Sequence, residues 1–264
     1  MSVIALGPWD LALAAGLVLG LAMLSARLRL GVGQALLVAA LRTTLQLLLV
    51  GLVLKALFAH VHLAWVALLS SVMLLAAGRE VVARQRVKFR GPWGFALGAL
   101  AMFVSSFSVT VFALSIVIAP SPWYEPQYAI PLLGMLLGNT MNGVSLALDR
   151  LSHSVSRERG VVEGRLMLGQ SWSEAIEDLR RESLRAGLIP IINAMAAAGI
   201  VSLPGMMTGQ ILAGSPPVEA VKYQILIMFL IAAGTGFGTF VAVWLASRRL
   251  FDERQRLRVD RLVS

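Results

Sequence analysis

Long apolar runs alternate along this chain with short, strongly charged segments, and the apolar runs have the length that a bilayer demands. Residues 10–25, 36–58, 62–78, 93–118, 130–148, 187–203 and 221–246 are each nearly free of charge, and roughly 20 apolar residues in a helix span the hydrocarbon core. In that solvent every backbone N–H and C=O must be paired internally, so the runs predict helices. The expected fold is all-α: a polytopic membrane protein of about seven transmembrane helices.

Local chemistry sets the expected boundaries. Arg27 and Arg29 end the first span, and Pro92 opens the fourth. Residues 31–40 are either an interfacial elbow helix or the start of the second span. Pro120, Pro122 and Pro126 predict a tight loop, with Trp123, Tyr124 and Tyr128 at headgroup level. Pro204, Gly205 and Gly209 interrupt the apolar character after the sixth span, so residues 204–214 are expected to be broken or re-entrant. Ser215-Pro216 predicts an N-cap followed by proline at the first position of the seventh helix.

Composition agrees: 58% of the 264 residues are hydrophobic and 14% charged, against roughly a quarter charged in a soluble domain. Cysteine is absent, which excludes disulfides, thiolate metal sites and cysteine nucleophiles. The net charge of +9 does not point to nucleic acid, because all of the 23 Lys and Arg except Arg42, Lys55 and Lys222 follow the odd-numbered spans. Positive charge gathers on the cytoplasmic side, which predicts an external N-terminus and a cytoplasmic C-terminus in a cell (inner) membrane. No Lys or Arg precedes Arg27, so the first run is expected to be a retained span and not a signal peptide.

The polar segment 149–186 carries the clearest local signal. Ser171-Trp172-Ser173-Glu174 fits a capping box. Trp172, Ala175, Ile176 and Leu179 follow at helical spacing opposite Glu177, Asp178, Arg180 and Arg181, predicting a short amphipathic helix. Such a helix either lies on lipid headgroups or docks as a coupling helix into the groove of a partner.

Inside the apolar runs the polar residues are few. Asn139, Asn142, Ser145 and Asp149 share a helical face with Gly134, Met135 and Gly138, a face suited either to helix–helix hydrogen bonding or to lining a translocation path. Arg42, with Gln46 one turn on, would cost roughly 2.5–3.5 kcal/mol unpaired in the bilayer, and Asp149 or Glu80 is the expected partner. Met135, Met141, Met195, Met206 and Met207 offer soft thioethers, but core packing accounts for them as well. His60, His62 and His153 do not assemble into an iron site in sequence, so the metal ligands stay unknown.

Two enzyme-like readings fail on what is missing. No G-x-x-x-x-G-K-[ST] loop occurs, so any ATP is bound on another chain, and Gly31, Gly33, Gly234, Gly236 and Gly238 suit close helix packing. Asp149 and His153 at i and i+4 could suggest an intramembrane enzyme, but no H-E-x-x-H or G-x-S-x-G motif accompanies them. An ion-coupled secondary transporter would place more ionisable residues near midmembrane.

Several motifs together resemble a known family. They are Arg42 with Gln46-Leu47, Leu133-Gly134-Met135 through Gly138-Asn139-Thr140-Met141-Asn142, Leu168-Gly169-Gln170-Ser171, Ser173-Glu174-Ala175, Leu188-Ile189-Pro190, Ser202-Leu203-Pro204-Gly205-Met206-Met207-Thr208-Gly209 and Ala220-Val221-Lys222-Tyr223-Gln224. The chain resembles the FetB-type iron-export permeases of ABC transporters, which include plant permeases of aluminium tolerance. Pro216 departs from the family's usual polar residue before proline.

The resemblance implies one permease domain over residues 1–264, with residues 149–186 as its cytoplasmic coupling segment. It implies a separate ATP-binding cassette subunit, a second copy of the chain and the lipid bilayer as partners, no nucleic acid, and no cofactor in this chain, ATP and Mg being held by the partner. Leu168, Gly169, Ser171, Trp172, Glu174 and Ala175 are then the expected coupling residues. Asn139, Asn142, Ser145, Asp149, Met206 and Met207 are the expected path. Iron or an iron complex is the expected cargo, with another metal or a small organic solute such as a nucleotide sugar as alternatives.

Overall fold

A computed structural model describes residues 7–263; the outermost residues of the expected 1–264 domain lie outside the described residues. The chain falls into two units, the first comprising residues up to His62 with Leu212–Gly214, the second comprising Leu63–Ile211 and everything from Ser215 on.

The first unit is built on two helices, α1 (Pro8–Arg27) and α2 (Gly33–Ala59). Proline at N1 and the Asp10 carboxylate, which accepts the Gly7 N–H at 2.7 Å, start α1. Between the helices Arg29 (φ 53°) and Gly31 (φ 72°) take left-handed conformations and reverse the chain. A Cβ on Gly33 would lie 3.1 Å from the Ala22 carbonyl oxygen, so glycine lets the two helices touch. The structure shows no separate elbow over residues 31–40: α2 runs unbroken from Gly33 to Ala59.

The second unit holds α3 (Leu63–Ala83), the fourth span α4 (Trp93–Ile118), α5 (Pro126–Arg157), α6 (Arg159–Met167), α7 (Trp172–Ala175), α8 (Glu177–Ala197), all but the last residue of α9 (Gly205–Leu212), and α10 (Pro217–Arg249). Two stretches of α4, Phe103–Phe107 and Ala113–Ile118, widen to π-helix. Pro126 is the first residue of α5 and not part of the preceding loop, as its missing N–H allows. The cap of α10 also shifts by one residue from expectation, to Pro216 with Pro217 at N1, and Ser215 makes no side-chain cap.

Small residues set the packing. A Cβ on Gly143 of α5 would come within 2.9 Å of the Gly187 carbonyl oxygen on α8, and one on Gly187 within 2.7 Å of the Gly143 oxygen. Thr235 and Thr239 of α10 fill the same crossing. Such close backbone approach suits a membrane interior, where dispersion contacts and not hydrophobic burial hold helices together.

At one end of this unit the core continues past the apolar spans. Leu151, Val155, Val162, Ala175, Ile176, Leu250 and Phe251 form part of a single buried cluster beyond the apolar spans. The last residues fold back onto it: Lys88–Phe89 (β1) pairs antiparallel with Leu262–Val263 (β2), and Arg90 N–H donates to the Arg261 oxygen at 2.7 Å.

Six helices, α1 to α5 and α10, are long and apolar enough to cross a membrane among the described residues. The expected sixth crossing, residues 187–203, differs in form. It begins as the second half of α8, whose first half carries Glu177, Asp178, Arg180, Arg181, Glu182 and Arg185, and it is cut by the turn that follows Ala197, with Gly199 at φ 84°. α5 and α10 both end at the charged pole, so the chain between them returns toward the opposite pole along α8, about 30 Å long at 1.5 Å per residue; with charge in its first half, α8 is not among the helices long and apolar enough to cross a membrane.

Candidate functional site

The expected path residues lie along α5 and are satisfied in two ways. Asn139 Nδ2 donates to the Met135 oxygen at 2.8 Å, and Ser145 Oγ to the Met141 oxygen at 2.7 Å, so both bonds stay within the helix. Toward the charged pole the partners change. Arg84 Nη1 donates to Asn142 Oδ1, and the Arg86 backbone N–H donates to Asp149 Oδ1 at 2.6 Å. The segment after α3 is thus tied to the polar face of α5 at two points. Gly134 admits the Met73 methyl, while Gly138 faces open space.

Met206 and Met207 sit elsewhere, on α9. Met207 lines an apolar cavity with Met195, Leu203, Pro204, Met228 and Phe229 near the start of α10. That is the pole opposite to Asp149, so the expected path residues mark two ends of the unit and do not form one site. Arg42 and Gln46 lie on the exposed surface of α2 in the first unit. Among the described residues no three His, Asp or Glu side chains gather as a metal site.

The segment expected to couple folds as a capped turn. Ser171 Oγ accepts the Glu174 N–H, and the Glu174 carboxylate accepts the Ser171 N–H at 2.8 Å and its hydroxyl at 2.7 Å. These bonds, the hydroxyl's first, hold the Glu174 carboxyl below its ordinary range. The helix that this box starts is only four residues long. Ile176 (φ −113°) breaks it before α8 begins.

The expected amphipathic stripe does not face outward. Ala175, Ile176 and Leu179 are buried in the core cluster, and Trp172 packs on Phe251 with ring centroids 5.8 Å apart. The apolar side of this stretch is covered by the protein's own tail, which removes it as a docking face for lipid or a partner. What projects instead is the turn before the box. Met167 is 83% and Leu168 86% exposed, followed by Gly169 at φ 88°.

The tail completes this surface. Asp252 Oδ1 accepts the N–H groups of Arg254 and Arg256, and Gln255 Oε1 accepts the Trp172 N–H at 3.0 Å. Arg256, through its backbone N–H first, keeps the Asp252 carboxyl below the usual range. Beside the projecting turn lies a groove of about 810 Å³, lined by Glu163, Leu166, Gln170, Glu174, Arg254 and Arg256 among others. Sequence reasoning identified Leu168, Gly169, Ser171 and Glu174 but missed Met167 and the whole 252–257 loop. Asp252, a residue type whose carboxylate commonly accepts nearby backbone N–H groups in turns, was the only local signal for that loop.

Over residues 8–251 the chain matches the family described as "Uncharacterised protein family (UPF0014)". It is 42% identical over 218 residues to a UPF0014 membrane protein of Synechocystis sp., covering 83% of each chain. It is 34% identical over 258 residues to the probable iron export permease protein FetB of Escherichia coli, covering 96% of this chain and 95% of that one. It is 30% identical over 216 residues to the protein ALUMINUM SENSITIVE 3 of Arabidopsis thaliana, covering 82% and 77%. No solved structure matches. The long apolar helices and these relatives, taken together, establish that the chain is a multi-pass membrane protein belonging to the UPF0014 family.

Proposed function

We propose that this chain is the membrane-spanning permease subunit of an ABC transporter that exports iron or an iron complex, driven by a separate ATP-binding subunit. The resemblance to FetB supports the cargo and direction. The observation that carries the coupling mechanism is the capped turn: Met167 and Leu168 stand out from a support made of the Ser171–Glu174 box and the Trp172–Gln255 bond. Two exposed apolar side chains on a rigid base are a knob suited to a groove on a motor subunit, and burying a side chain of this size contributes roughly 1.5–3 kcal/mol.

In the mechanism, ATP and Mg on the partner drive closure of two ATP-binding subunits. One knob per permease implies two permease copies, one for each motor subunit. Force enters at Met167–Leu168 and reaches the membrane through α6, α7 and α8, the last of which packs on α5 at Gly143–Gly187. The face of α5 bearing Asn139, Asn142 and Ser145 lines the path. The charged pole is cytoplasmic, with the N-terminus outside, in the cell (inner) membrane. Arg84 on Asn142 favours an anionic iron complex over the bare cation.

The test is affinity purification in detergent followed by ATPase assays with iron(II), a ferric chelate and a nucleotide sugar. Co-purification of an ATP-binding subunit stimulated by iron or its chelate supports the reading. Stimulation by the nucleotide sugar alone overturns the cargo, and recovery of active transport without any ATPase overturns the mechanism.

A further inference from the structure

Between α5 and α8 at the charged pole lies a furrow of about 540 Å³, lined by Arg86, Leu146, Asp149, Arg150, His153, Glu182, Arg185, Ala186 and Ile189. Its two walls are stripes of the antiparallel helices. Positions 146, 149, 150 and 153 on α5, and 182, 185, 186 and 189 on α8, both follow the i, i+3, i+4, i+7 spacing of one helical face. The furrow is graded along its length: Leu146, Ala186 and Ile189 line one end, and the charged residues line the other.

The charges divide into spent and available ones. Arg150 is paired to Glu182 at 3.0 Å, and Asp149 is engaged by the Arg86 backbone N–H. Arg86 and Arg185 make no side-chain ion pair among the described residues and leave two guanidinium groups at the charged end. Guanidinium forks match phosphate oxygens.

Depth decides what kind of phosphate fits. Asp149 and Arg150 are the first charges after the apolar part of α5, and Arg185 the last before the apolar part of α8. The furrow therefore straddles the boundary between hydrocarbon and headgroups. A soluble anion would use the arginines but gain nothing from Leu146 and Ile189, both of which are exposed. A phospholipid uses both ends, with its phosphate at the arginines and an acyl chain along the apolar wall.

We propose that the α5–α8 furrow binds an anionic phospholipid, the phosphate held by Arg86 and Arg185 and an acyl chain lying along Leu146 and Ile189. The occupant braces α8 against α5, the two helices that join the coupling turn to the membrane.

The test is native mass spectrometry of the full chain in detergent after incubation with equal phosphatidylglycerol and phosphatidylcholine. The wild type should retain phosphatidylglycerol in excess, and R86Q/R185Q should lose that excess by about tenfold. R157Q/R181Q, which removes the same charge outside the furrow, should keep it. Ile189→Asp, at an exposed position that tolerates a polar side chain, should also lose it and covers the case in which the arginine variant does not fold. Unchanged phosphatidylglycerol retention in R86Q/R185Q or in Ile189→Asp overturns the proposal. Displacement of the lipid by millimolar glycerol phosphate also overturns it, since that marks a site for free anions.

Discussion

Gly187 and Asn142 show how single atoms bear on this fold. An added methyl at Gly187 meets the Gly143 oxygen at 2.7 Å and Ala147 Cβ at 2.9 Å, and backbone cannot give way as a side-chain end can. Gly187→Ala should cost about 1–3 kcal/mol by overpacking, read as a lower unfolding temperature in detergent; an unshifted temperature would mean that α5 and α8 do not cross so closely. Asn142 acts differently. Asn142→Leu leaves the helix intact but strips Arg84 of its acceptor and the proposed path of a polar group. Transport in vesicles should then fall at least tenfold while the protein still binds its ATPase, and wild-type transport would remove Asn142 from the path. Asn142 was legible as a polar residue in an apolar run, whereas Gly187 was not singled out among the glycines. Their partners were not legible, because Gly143–Gly187 and Arg84–Asn142 are separated by 44 and 58 positions in the chain.

Among the elements, the capped turn was half legible. Ser171 and Glu174 are neighbours in sequence, so the box could be read directly, and it is present. The stripe Trp172, Ala175, Ile176, Leu179 was equally visible, but amphipathicity states only that a face is covered and not by what. The cover is Leu250 and Phe251 with the rest of the core cluster, supplied by a tail whose hook depends on backbone pairings that no periodicity announces. Two predictions follow from this arrangement. Ser171→Ala should cost about 0.5–2 kcal/mol of local stability, seen as faster amide exchange at residues 172–175 with the rest of the chain unchanged. The pH dependence has a definite sign: the Glu174 pKa is depressed in the folded turn, so its contribution is present above the ordinary glutamate value of 4.5 and is lost as pH falls through the lower folded value. The protection factors of residues 172–175, taken against the intrinsic exchange rate at each pH, should fall on acidification in the wild type but not in Glu174→Gln; the same fall in both would show that another group is responsible. The hook has its own test. Asp252→Ala removes the acceptor for two backbone N–H groups and should expose residues 250–263 to limited proteolysis, whereas an unchanged digestion pattern would mean that the β1–β2 pairing alone holds the tail.

At the level of the whole molecule, the spans were the most legible part, because length and apolarity are local and the bilayer allows few other structures. The exception, α8, is instructive: charge in its first half and a turn after Ala197 leave it short of an apolar span, although it returns the chain from the pole at which α5 and α10 both end. In the proposed mechanism the chain takes its motion from a separate ATP-binding subunit that grips the exposed Met167–Leu168 turn. The most direct measurement is transport into vesicles by the chain reconstituted with the ATP-binding subunit recovered alongside it, comparing wild type with M167E/L168E. The account predicts ATP-dependent iron movement in the wild type, and in the variant a folded permease that neither binds the ATPase nor moves iron. Full assembly and transport by the variant, or iron movement by the chain without any ATPase, would contradict it.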